Sequence, residues 1–224
     1  DAMYLPYDEK LGIHAQDDGF LKLAPLDLAA IPRENFPLLL HYHPLWLYRH
    51  QVCKQADTVL AHFLYEDLAD EGIMRRSYDY YERCTTHDSS LSTCVFAIMA
   101  ARLGDMGKAV DYFRQSATLD LDDAHGNTKD GIHTANMGGT WLAITAGFGG
   151  LRVKPDGPHL HPRLPDAWRA YSFPLTWRGS ELRVHVTPAG CRVELLAGEE
   201  QSIWVYGQPV RVALGQAAEL PMPQ

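Results

Sequence analysis

The sequence predicts a helical region followed by a β region. Two observations carry this. Up to about Gly150, apolar residues recur every three or four positions; beyond it they alternate with polar residues in short runs. The composition supports a folded chain: 224 residues, 46% hydrophobic and 21% charged, which excludes a disordered or collagen-like protein. The formal charge of −8 argues against nucleic acid and against a membrane surface as partners. No apolar run approaches the ~18–20 residues that span a bilayer; Phe36 to Leu47 is broken by His41, His43 and Pro44.

Residues 1–44 read as irregular, because Pro6, Pro25, Pro32, Pro37 and Pro44 interrupt any long element. A helix is expected from Leu45 to about Asp67, since Leu45, Tyr48, Val52, Ala56, Val59 and Phe63 form one stripe. Lys54 and Gln55 break its pattern. Further helices are expected over Asp70–Tyr81, Ser90–Leu103, Met106–Thr118 and Gly139–Gly147. Gly104-Asp105 is a tight turn, so the third and fourth of the five helices form an antiparallel hairpin. Such pairing fits a bundle, a helical solenoid or an α/α barrel. A repeat scaffold lacks support, because no second copy of the hairpin occurs at a ~34-residue period.

Strands are expected at Leu151–Lys154, Ala170–Trp177, Glu181–Thr187, Arg192–Leu196, Ile203–Tyr206 and Val210–Leu214. Leu182, Val184 and Val186 alternate with Arg183 and His185, as a half-exposed antiparallel strand requires. Arg178-Gly179-Ser180 and Pro188-Ala189-Gly190 suit hairpin turns. A small antiparallel sheet or sandwich should therefore follow the helices.

Cys53, Cys84, Cys94 and Cys191 contain no C-x-x-C spacing and are too sparse for a disulfide framework. They read as reduced, buried thiols of a cytoplasmic protein. His41-x-His43 and His159-x-His161 have no clear third ligand, so no metal is expected. No G-x-S-x-G, Walker A or G-x-G-x-x-G motif occurs. The chain opens at Asp1 and reads like the middle of a longer protein.

Three segments each carry two readings. Cys53-Lys54-Gln55-Ala56-Asp57 is either a solvated helix strip or a cation and an amide that hydrogen-bond sugar hydroxyls. Thr85-Thr86-His87-Asp88-Ser89-Ser90-Leu91-Ser92 is either an N-cap with spare polar residues or an anion site at a helix start. Gly126 to Trp141 is either a Gly-rich inter-helix loop or a second anion loop. There His133 and Thr134 would donate to an oxyanion, and Gly138-Gly139 would precede the next helix.

Together with Tyr78–Glu82, Asp120-Leu121-Asp122-Asp123, Gly131-Ile132-His133, Met137–Trp141, Gly147–Arg152, Leu164–Trp168 and Phe173 to Gly179, these segments resemble one family in order and spacing. It is the inverting disaccharide phosphorylases: maltose, kojibiose and trehalose phosphorylases. The resemblance covers most of residues 1–190. It implies an N-terminal β-sandwich, an (α/α)6 barrel and a small C-terminal β domain. Residues 1–150 would then be the C-terminal part of the barrel and residues 151–224 the β domain. It implies phosphorolysis of an α-linked glucoside to β-glucose 1-phosphate, with inversion. Lys54 and Gln55 align with residues that hold the glucosyl unit. Thr86, His87, Ser89, Ser90, His133, Gly138 and Gly139 align with the phosphate-holding loops.

No cofactor or metal is implied; inorganic phosphate is the co-substrate. The implied partners are the disaccharide, phosphate and the remainder of the same polypeptide, with a homodimer left open. One departure from the family pattern is plain. The general acid, a Glu in a D-E-Y-H-type segment, is absent, and Glu9 in Tyr7-Asp8-Glu9-Lys10 is not that motif. The W-D pair that contacts glucose is absent too. General acid catalysis contributes ~10²–10⁴-fold, so these residues alone are expected to be inactive. A hydrolase of the same fold and a non-catalytic helical interaction module are the alternatives.

Overall fold

The computed structural model describes residues 4–223. The chain divides into two compact units. One comprises the residues up to Met99 with Asp111–Thr140; the other comprises Ala100–Val110 with Trp141 onward.

The first unit begins, as the prolines require, with short pieces. These are β1 (Tyr7–Asp8) and β2 (Ile13–His14), which pair, β3 (Ala24–Pro25), and the one-turn helices α1 (Leu38–His41) and α2 (Pro44–Leu47). The long helix expected from Leu45 to Asp67 is not formed. α2 stops at Leu47, and β4 (His50–Gln51) then pairs in parallel with β3. Gln51 donates its amide to the carbonyls of Leu21 and Leu23. A helix resumes only at α3 (Asp57–Leu64). The helical spacing was coincidental, and long-range backbone pairing overrides it: Leu45 and Tyr48 of the supposed stripe are 63% and 68% exposed.

α4 (Glu71–Cys84) starts where Asp70 accepts from the Ile73 N–H at 2.7 Å, a side-chain N-cap. Met74, Ser77, Tyr78, Tyr81 and Cys84 recur at three- and four-residue spacing and are buried. α5 (Ser92–Arg102) and α6 (Met106–Thr118) flank the Gly104 turn and contribute to both units. In the first unit, Phe96 packs between Tyr78 and Tyr112 at 5.3 and 5.4 Å. This aromatic column fixes the floor under the loop that precedes α5.

α7 (Thr134–Leu142) begins five residues earlier than the expected Gly139 and runs into a π-helical segment, Ala143–Phe148. Gly138 and Gly139 therefore lie inside a helix, not in a turn before it. Ser116 and Asn136, both fully buried, supply the reason. The Ser116 hydroxyl bonds Asn136 Oδ1 and the Thr140 hydroxyl at 2.7 Å each, and Asn136 donates to the Ser116 carbonyl at 2.8 Å. These bonds hold the first turns of α7 against α6.

The second unit holds the β region. Its strands are β5 (Arg152–Lys154), β6 (Gly157–Leu160), β7 (Tyr171–Trp177), β8 (Ser180–Thr187), β9 (Gly190–Ala197), β10 (Gln201–Val205), β11 (Gln208–Val212) and β12 (Ala217–Pro221). One sheet has the order β11-β10-β6-β5 and the other β12-β9-β8-β7. All pairs are antiparallel except β6 with β10. In β8 burial alternates residue by residue, with Leu182, Val184 and Val186 inward, as the sequence requires. Inward residues of both sheets share one core, so the β region is a sandwich. Strands β6 and β12 had no expected counterpart; Gly157, Pro158 and Pro221 mask them in the sequence. The four cysteines are free and buried.

Candidate functional site

The segment Cys53–Ala56 is a loop, and two backbone bonds set its place. The Cys53 N–H donates to the Cys84 carbonyl, and the Thr86 N–H donates to the Cys53 carbonyl, both at 2.8 Å. This isolated parallel bridge lays Lys54 beside Thr86, 32 positions away in the chain. Lys54, Thr86 and Asp88 line one cavity of about 80 Å³ with Leu38, Leu39, Leu47, Tyr48 and Val52. Its volume is that of roughly two to three waters. Asp88 closes one edge by accepting from the Leu38 N–H at 2.8 Å. Gln55 lies on the same loop but turns its amide to Asp57 Oδ1 at 3.0 Å.

His87 sits in the left-handed region, with φ of 57°. Its ring packs against Phe96 and Tyr112, at 4.8 and 5.3 Å, and Nδ1 lies 2.9 Å from the Ser92 hydroxyl. Burial pushes its pKa down to about 4, so the ring is neutral at neutral pH. His87 thus ties the loop to the first turn of α5. Ser89 and Ser90 follow it at the helix start, both half-buried. The Ser89 hydroxyl accepts from the Leu91 N–H at 3.3 Å, and its carbonyl accepts from the Ser92 N–H. The Asp88 carboxylate, by contrast, is taken by the Leu38 N–H.

His133 stands immediately before α7 in a cluster of its own. Nδ1 lies 2.5 Å from Asp120 Oδ1, the His133 N–H donates to Asp120 Oδ2 at 2.9 Å, and Nε2 lies 3.4 Å from the Asn127 amide nitrogen. The hydrogen bond from His133 holds the Asp120 carboxyl below the usual carboxylate range.

Gly138 faces open space. Gly139 packs on the start of α5: a Cβ there would lie 2.5 Å from Cys94 Sγ. The structure therefore joins Lys54 with Thr86, and Gly139 with the α5 start that His87 reaches through Ser92. It gives Gln55 to Asp57 and His133 to Asp120. Asn127 and Asn136 were not singled out from the sequence; Asp120 carried a signal there, as the first of an acidic run shortly before a histidine. Among the described residues, no group of three or more His, Cys, Asp or Glu could hold a metal ion, and no helix is long and apolar enough to cross a membrane.

The described residues thus form a helical unit bearing polar loops at helix starts and a second unit that holds a β-sandwich. The chain matches the glycosyl hydrolase family 65 central catalytic domain over residues 1–142 and the family's C-terminal domain over residues 151–212, and it belongs to that family.

It is 56% identical over 220 residues to the alpha,alpha-trehalose phosphorylase of Geobacillus stearothermophilus, covering 98% of this chain and 29% of that one. It is 37% identical over 187 residues to the kojibiose phosphorylase of Halothermothrix orenii, covering 83% and 24%. A solved structure named "Putative kojibiose phosphorylase from human microbiome" superposes with a TM-score of 0.88 at 31% identity, over 97% of this chain and 30% of that one. The chain spans between 24% and 30% of the length of these relatives.

Proposed function

We propose that this chain is the C-terminal portion of a cytoplasmic inverting phosphorylase that cleaves an α-linked glucosyl disaccharide, α,α-trehalose first among them. The products are β-glucose 1-phosphate and the second sugar. The choice of trehalose rests on the 56% identity to a trehalose phosphorylase. The observation that carries the site is the bridge between Cys53 and Thr85, which sets a cation and a hydroxyl on one cavity.

Inverting cleavage needs an acid on the leaving oxygen and a nucleophile at the opposite face of the anomeric carbon. Phosphate is already an anion and needs no general base. It needs placement in line and relief of its charge. In this reading Lys54 and Gln55 hold the glucosyl unit. Thr86, Ser89, Ser90 and His133 face the phosphate, Gly138, where a Cβ would meet nothing within 4 Å, leaves room beside it, and His87 shapes the loop that carries Thr86, Ser89 and Ser90. The general acid comes from the remainder of the polypeptide, so the 224 residues alone turn nothing over. No cofactor takes part.

The test is a phosphorolysis screen of the full-length enzyme on trehalose, kojibiose, nigerose and maltose, with the sugar phosphate's anomeric configuration read by NMR. Phosphate-dependent release of β-glucose 1-phosphate, fastest from trehalose, is expected. Phosphate-independent glucose release would make the enzyme a hydrolase and end the proposal. His133→Ala should raise the KM for phosphate about ten- to a hundredfold, the loss of one charge-assisted hydrogen bond.

A further inference from the structure

The loop between α6 and α7 is built to return to its own start. Asp120 lies two residues beyond α6 and His133 one residue before α7. Internal bonds fold the intervening chain back. The Ala124 N–H donates to the Leu119 carbonyl, Gly126 to the Asp123 carbonyl, Thr128 to Asp123 Oδ1, and Asp130 to the Asn127 carbonyl. The result is that both oxygens of one carboxylate are committed to one histidine, through ring and backbone. The two side chains are only 10% and 21% exposed, so water competes weakly for this contact.

We infer that Asp120 is a positioning residue for phosphate, acting through His133; this rests on the phosphate reading of His133. A carboxylate at Nδ1 fixes the proton there and fixes which way the ring faces. Nε2 is then the atom left for a ligand. In the free site it has only the long approach of the Asn127 amide nitrogen, a donor. A phosphate hydroxyl can donate to Nε2, and an unprotonated phosphate oxygen can accept from it when it carries a proton; in both cases the Asp120 carboxylate at the opposite edge holds the ring in place. The titratable neighbour facing this pair is His125, whose ring meets His133 edge-on at 5.9 Å and whose charge also acts on Asp120. Asp123 is turned away, toward the Thr128 N–H.

The test is a kinetic cycle in the full-length enzyme: Asp120→Asn, His133→Ala, the double variant, and Asp120→Glu. Asp120→Asn should raise the KM for phosphate five- to fiftyfold and leave that for the disaccharide within twofold. An unchanged disaccharide KM also shows that the site is folded. Asp120→Glu should recover most of the affinity. In the His133→Ala background, Asp120→Asn should add less than a further twofold. The inference fails if Asp120→Asn has the same effect with and without His133, or if it leaves phosphate KM unchanged while His133→Ala weakens phosphate. An innocuous His133→Ala would remove the phosphate assignment of His133, and this inference with it.

Discussion

Consecutive glycines in α7 should respond oppositely to alanine, and the response separates packing from ligand contact. An ideal Cβ on Gly139 lies 2.5 Å from Cys94 Sγ and 3.0 Å from Cys94 Cβ. Ordinary contact between such atoms is about 3.5–4.0 Å, so the overlap is about 1 Å. Overpacking of this kind costs ~1–3 kcal/mol, while replacing a helical glycine recovers ~0.5–1 kcal/mol. Gly139→Ala should thus destabilise by ~0.5–2 kcal/mol. At about 2–4 °C per kcal/mol for a domain of this size, the midpoint falls by a few degrees. Gly138 meets nothing within 4 Å, so Gly138→Ala should gain the propensity term and raise the midpoint.

Adding Cys94→Ala removes the closer clash, and the Gly139 pair should couple by about 1 kcal/mol. Thermal unfolding of the four variants, with phosphate KM measured alongside, decides the matter. The expected pattern is a stabilised Gly138→Ala with weakened phosphate binding, and a Gly139→Ala whose midpoint Cys94→Ala partly restores. Strict additivity of Gly139→Ala and Cys94→Ala would refute the packing argument. A Gly138→Ala that bound phosphate normally would remove Gly138 from the site.

Two further outcomes concern stability. Burial holds both His62 and His87 near pKa 4, with the His14 charge also acting on His62, against about 6.5 unfolded. As pH falls from 6.5 to 4 the unfolded chain takes up protons that the folded chain refuses. Stability is lost by at most ~1.4 kcal/mol per pH unit per histidine. His62→Gln should flatten the melting-temperature profile over that window, and an unaltered slope would contradict the burial argument. Asn136→Ala removes the donor to the Ser116 carbonyl and one of the two partners of the buried Ser116 hydroxyl, which keeps Thr140, and should cost about 1–3 kcal/mol; a chemical-denaturation midpoint within error of the parent would show that water replaces them.

Sequence alone determined what depends on neighbours a few positions apart. The helical spacing of α4 and α6, the Gly104 turn and the inward alternation of Leu182, Val184 and Val186 are local patterns, and each was legible. So was the family, because its motifs are contiguous runs. The tertiary structure decided what depends on distant backbone. β3 captured His50-Gln51 and broke a stripe that satisfied helical spacing. The Cys84 and Thr86 backbone captured Cys53 and brought Lys54 to Thr86. Asn136 and Ser116 started α7 five residues early and placed two glycines inside it. Asp120 and His133 met because the twelve residues between them fold back on themselves. Hydrogen bonds between remote segments leave no periodic trace in a chain, since either partner alone is an ordinary polar residue; only the fold shows which one each residue answers to.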